Sequence, residues 1–130
     1  MMTLKEVKDF LKENIRADNW KIGAYDNTKD KTICVRNLTS KRSKLAIGGL
    51  KNTTIKVKGI SIVVHWNKNP DETECMSQDV HSLFYGKHPI IGGKQVVLCD
   101  MRSDEPIFLG TDSSGVYEYV IEMWITYKED

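Results

Sequence analysis

Two stretches of the chain carry a period-two hydrophobic code long enough to define a strand. Ile60, Ile62, Val64 and Trp66 occupy alternate positions and so share one face of an extended segment. Ile55 and Val57 fall in the opposite phase, which predicts a bulge or bend at Gly59, a residue that tolerates the backbone geometry this needs. Near the C-terminus Tyr117, Tyr119, Ile121, Met123, Ile125 and Tyr127 keep the same period across residues 116–127, with Glu118, Glu122 and Thr126 on the other face. At about 3.3 Å per residue that strand is roughly 40 Å long, whereas a usual strand has about five or six residues. The expectation is a strong bend, or a strand that runs past its own sheet. The outlying part, with Tyr117, Tyr119, Trp124 and Tyr127, is then a candidate contact for a neighbouring chain.

Helical spacing appears twice. Thr3 and Glu6 form a capping box, and Leu4, Val7, Leu11 and Ile15, with Phe10 beside them, make an apolar stripe over residues 3 to about 17. The second start is Asn69-Pro70-Asp71-Glu72. Asn69 caps, Pro70 has no N–H to leave unpaired in the first turn, and the two acids meet the positive end of the helix dipole. Met76, Val80, Leu83 and Phe84 form its buried stripe, and Gly86 ends it.

The remaining segments complete a sheet. Residues 20–37 read as a hairpin about the polar turn 25–30, with Ile33 and Val35 on one face and Thr32, Cys34 and Arg36 on the other. Residues 38–50 match neither period and read as a long loop, of a length that is often functional. Residues 87–93 form a turn, 94–102 a strand with Val96, Val97 and Leu98, 107–109 a short apolar patch, and 110–115 another turn. The predicted fold is α+β, with two helices packed on one face of a mostly antiparallel sheet, in a single domain over residues 1–130.

Composition narrows the function classes. Nineteen Lys and Arg against eighteen Asp and Glu leave a net charge of +1, so no nucleic-acid footprint follows from charge balance. The longest apolar run is far short of the roughly 20 residues that span a bilayer, and the N-terminus lacks a signal-peptide pattern. Cys34, Cys75 and Cys99 are odd in number and widely spaced, as expected of reduced thiols in a cytoplasm.

Candidate chemistry is sparse. His65, Cys75, His81, His88 and Cys99 show no metal-ligand spacing, Gly48-Gly49 and Gly92-Gly93 lack a phosphate-loop frame, and no metal or cofactor is expected. The acid pairs Asp71-Glu72 and Asp104-Glu105 are explained by helix-start and turn roles, so no catalytic residue is assigned. An enzyme reading requires His65, His81 and Cys99 to converge in one pocket. The run Lys41-Arg42-Ser43-Lys44 leaves one alternative, a nucleic-acid-binding module, although stacking aromatics are missing there.

The order of these elements resembles a known family. The helix beginning Leu4-Lys5-Glu6-Val7, the strand 59–66, the break 67–70 with its helix ending near Tyr85-Gly86, the segment 106–112 and the strand opening Gly115-Val116-Tyr117-Glu118-Tyr119 are similar to phage minor capsid proteins akin to tail terminators. The resemblance implies a non-enzymatic virion protein that forms a hexameric ring, caps the tail tube and joins it to the head connector. It implies copies of itself, the tail tube protein and a head connector or neck protein as partners, without cofactor, membrane or specific nucleic acid. It implies a place at the tail–head interface of the virion, after assembly in the host cytoplasm. Closing such a ring needs two different complementary patches. The 38–50 loop, with Lys41, Arg42, Lys44, Leu45 and Ile47, is one candidate, and the outlying part of the last strand is the other.

Overall fold

In chain order the elements are α1 (Leu4–Asn14), β1 (Asn19–Ile22), β2 (Thr32–Asn37), β3 (Ile55–His65), α2 (Pro70–Ser82), β4 (Ile90–Ile91), β5 (Lys94–Met101), β6 (Ile107–Thr111) and β7 (Tyr117–Lys128). They come from a computed structural model that describes residues 1–26, 28–39 and 55–129.

Both helices begin where local chemistry places them. Thr3 Oγ1 accepts from the Glu6 N–H at 3.2 Å while the Thr3 N–H donates to Glu6 Oε1 at 2.9 Å, which is the predicted capping box. Glu6 also meets Lys94 at 2.9 Å. That ammonium is the main reason its carboxyl is held below the usual carboxylate range. The helix stops at Asn14 instead of continuing to 17, because Ile15 is extended, yet the Ile15 side chain still packs on the core.

At the start of α2, Asn69 Oδ1 accepts from the Asp71 and Glu72 N–H groups at 3.0 and 3.1 Å. Asn69→Ala is expected to lower stability by about 1 kcal/mol, seen as a lower urea midpoint with an unchanged slope. The buried face of α2 includes Thr73 and Ser77. Their hydroxyls donate to the Asn69 and Thr73 carbonyls at 2.9 and 2.7 Å, so these small polar groups are buried without being left unpaired.

The seven-stranded sheet runs β1-β2-β3-β7-β5-β4, with β6 also paired to β7. It is mixed, not mostly antiparallel: β1 lies parallel to β2, from Asn19↔Thr32 to Ile22↔Val35, and the other pairs are antiparallel. The predicted hairpin over 20–37 is therefore corrected. Gly23, at φ +86°, turns the chain away from the edge. It returns through Lys31, whose carbonyl accepts from the Asp18 and Asn19 N–H groups at 3.1 Å each. On the way Tyr25 packs over Cys34, Val63 and Val120. A polar stretch such as 25–30 suits a return crossing as well as a tight turn, and the sequence code is the same for both.

Strand β7 does not overhang. Its first edge pairs with β3 from Glu118↔His65 to Lys128↔Ile55. Its second edge is shared end to end, β6 taking residues 117–120 and β5 taking residues 123–127. Its length is explained by two short strands aligned along one side. The predicted bulge at Gly59 is also absent, since the β3–β7 register passes through Gly59↔Trp124 without a shift. Irregularities fall instead between Val96 and Leu98 in β5 and between Phe108 and Gly110 in β6. Within the predicted turn 87–93, Ile90 and Ile91 form β4 and turn into β5 through Gly92 and Gly93, at φ +58° and +76°, the geometry of a two-residue hairpin loop.

Ile60, Ile62, Val64 and Trp66 do share one environment, the main core. There they meet Ile121, Met123, Ile125 and Tyr127 of β7, Val7 and Leu11 of α1, and Val80 and Phe84 from α2 and its end. Apolar residues of both helices thus belong to the same cluster as one face of the sheet.

Candidate partner-binding edge

Strand β6 is short, apolar and paired on one side only among the described residues. Ile107, opposite Val120, turns into the small cluster with Cys34 and Val63. Phe108 takes the other face, opposite Tyr119, and the irregular Leu109 follows it. Phe108 is 55% exposed and Leu109 52%, an apolar pair that the chain leaves in water. The Phe108 ring centroid lies 5.2 Å from that of Tyr119 and 6.2 Å from that of Tyr117. The three rings form one aromatic surface beside α2, where the Tyr119 hydroxyl meets Glu74. Burial first, and then that carboxylate, push the Tyr119 pKa up, so it remains a neutral donor.

An edge strand with exposed large apolar side chains and unpaired backbone groups is a template for another chain. At the opposite end of the sheet, β1 is paired only with β2 among the described residues and exposes Ile22. The two ends differ in length, side chains and neighbours.

Tyr117 and Tyr119 are thus brought together, and with Phe108. Tyr127 and Trp124 are not at that edge. Tyr127 is 2% exposed, and its hydroxyl accepts from the Met2 N–H at 2.9 Å. Trp124 is 8% exposed, donates to the Thr39 carbonyl at 2.9 Å, and lies beneath the Arg102 guanidinium, 5.4 Å from its ring centroid. Lys41, Arg42, Lys44, Leu45 and Ile47 lie outside the described residues. Phe108 and Leu109 were legible as a short apolar patch but not as a surface. The available signal was an apolar run between Pro106 and Gly110 too short to be buried on both faces.

The residues of the enzyme reading have separate surroundings. His65 is enclosed by Tyr25, Asp112 and Glu118. His81 is held by the Ser103 carbonyl at 3.1 Å and stacks on Tyr85. Cys99 is a core residue, and burial pushes its thiol up to about 11, which leaves little thiolate near neutral pH. Among the described residues no three His, Cys, Asp or Glu are grouped as a metal site.

The profile of a family described as "Bacteriophage tail terminator protein" matches residues 12–129. The chain belongs to the bacteriophage tail terminator family. No curated protein matches it. Membership assigns a structural role in the phage tail or its junction with the head, as a virion component that meets other tail or head proteins. In this tail terminator no helix of the described residues is long and apolar enough to cross a membrane. The matched region includes both sheet ends and all of the β6–β7 hairpin, so the exposed aromatic edge is part of what the family profile covers.

Proposed function

We propose that this chain, as one tail terminator-like domain with both helices on one face of the sheet, assembles into a closed hexameric ring. The ring caps the tail tube and joins it to the head connector, at the tail–head interface of the virion, after assembly in the host cytoplasm. The role is structural, without catalysis or cofactor. The observation that carries this reading is the family match over residues 12–129, and the unequal sheet ends support it. A ring of head-to-tail contacts needs two different complementary patches. The edge formed by Phe108, Leu109, Tyr117 and Tyr119 is assigned as one, and the β1 end with Ile22 as the surface it meets on the next copy. Lys41, Arg42 and Lys44, with Leu45 and Ile47, are assigned to acidic groups of a neighbour or of the tail tube.

Phe108→Glu tests the edge directly. The side chain is exposed in the single chain, so thermal stability is expected to change by no more than about 0.5 kcal/mol. Placing a carboxylate in an apolar contact is expected to weaken self-association by at least about 30-fold. The check is sedimentation or light scattering of the purified protein, together with co-sedimentation on tail tubes. A variant that still builds rings and caps tubes like the wild type removes this edge from the assembly.

A further inference from the structure

We propose that His65 is an acid-set latch that fastens the β6–β7 hairpin to the end of β3. Its side chain is fully buried and faces two carboxylates from different segments, Glu118 at the start of β7 and Asp112 in the turn between β6 and β7.

The protonation pattern follows from the partners. Nδ1 lies 3.0 Å from Glu118 Oε2, which also accepts from the Tyr25 hydroxyl. Burial, and after it Glu118, raise the Tyr25 pKa, so the phenol keeps its proton. The shared oxygen is an acceptor, and Nδ1 therefore carries a hydrogen. A neutral imidazole has only that one N–H. Its Nε2 is then a bare lone pair, 3.7 Å from Asp112 Oδ2, and neither atom has another hydrogen-bond partner among the described residues.

Asp112 does not relieve the conflict by taking a proton. Its Oδ1 accepts from the Ser114 and Val116 N–H groups at 2.9 Å each. These backbone donors, Val116 foremost, hold its carboxyl below the usual range. With His65 neutral, two buried acceptors face each other. With His65 protonated, Nε2–H donates to Oδ2, and both orphaned atoms are satisfied by one hydrogen bond. The ionisable groups around the ring are Glu118 from β7, Asp112 from the turn and Tyr25 from the β1–β2 crossing. Thr32, its neighbour on β2, brings no charge, and Arg36 and Cys34 lie beyond, acting on Tyr25.

The latch bears on the hairpin, because Asp112 organises the turn from which β6 and its Phe108–Leu109 surface hang. It is therefore closed while Nε2 carries a proton and released when that proton is lost, whatever the hairpin binds. The test follows the His65 ring nitrogens by NMR in the full-length chain. It also follows the hydrogen-exchange protection of the Ser114 and Val116 amides, corrected for intrinsic exchange, from about pH 5 to about pH 8. The expected result is hairpin protection falling by about tenfold in step with loss of the Nε2 proton, Nδ1 keeping its own.

Asp112→Asn supplies the control. Its amide oxygen still accepts from Ser114 and Val116, and its NH2 donates to a neutral Nε2, so the pH dependence is expected to vanish. A ring that keeps one protonation state throughout, protection indifferent to that state, or equal pH profiles for variant and wild type each overturn the proposal. If Asp112→Asn does not fold, the two measurements on the unaltered chain decide it.

Discussion

Phe84→Ala is expected to destabilise the fold by about 3–5 kcal/mol, a large share of the roughly 5–15 kcal/mol that holds a domain of this size together. Phe84 follows the last turn of α2 and is completely buried. Its ring meets that of Phe10 on α1 edge to face, with centroids 5.6 Å apart at 62°. Truncation removes the transfer free energy of the ring and leaves a cavity between two helices that are each fixed by their own caps and so collapse little. It also removes an aromatic pair worth about 0.5–1.5 kcal/mol. The midpoint of thermal unfolding should fall by roughly 10–20 °C. Phe108→Ala is the matched control, since the same atoms are removed from a site already in water, and a change within about 0.5 kcal/mol is expected. Equal losses for the two variants, read by circular dichroism, would sink the assignment of Phe84 to the core and Phe108 to the surface.

The second large effect is expected at Gly59. A Cβ there would stand 2.5 Å from the Leu38 carbonyl oxygen and 3.3 Å from that of Thr39. These are backbone atoms and cannot rotate aside. Gly59→Ala therefore has to lift the segment that crosses β3. That strains or breaks the Leu38 N–H bond to the Gly59 carbonyl at 3.2 Å and the Trp124 indole bond to Thr39 at 2.9 Å. Overpacking and the lost hydrogen bonds together should remove about 2–4 kcal/mol. Trp124→Phe keeps an aromatic ring but deletes the indole donor, and should remove only about 1 kcal/mol. The check is urea unfolding of both variants. Wild-type stability in Gly59→Ala would mean that residues 38 and 39 do not lie over the strand.

Gly59 shows how a correct observation led to a wrong structure. The change of phase between Ile55, Val57 and Ile60 is real, but it reflects where the core covers the strand, and the backbone stays regular. A glycine chosen for close approach and one chosen for a bulge look alike in a sequence. The period of β7 was similarly sound, and its face was assigned correctly for Ile121, Met123 and Ile125. Its length suggests a bend or an overhang because one chain position cannot report that two other strands share its far edge. Tyr127 and Trp124, grouped with that outlying part by the same reasoning, are buried in the single chain. Phe108 was passed over because an apolar residue on a short strand is buried or exposed according to which neighbour arrives beside it.

What the amino-acid order decided alone was whatever depends on residues within a few positions of one another. The two helix starts, the strand faces and the turn at Gly92-Gly93 belong here, since capping bonds, side-chain alternation and glycine φ preferences are satisfied inside the segment itself. Tertiary structure alone decided the parallel β1–β2 pairing, the backbone crossing above Gly59, the open aromatic edge on β6, and the meeting of His65 with Asp112 and Glu118. Each of these depends on groups from segments far apart in the chain, whose attraction and exclusion exist only once the sheet has brought them within a few ångströms.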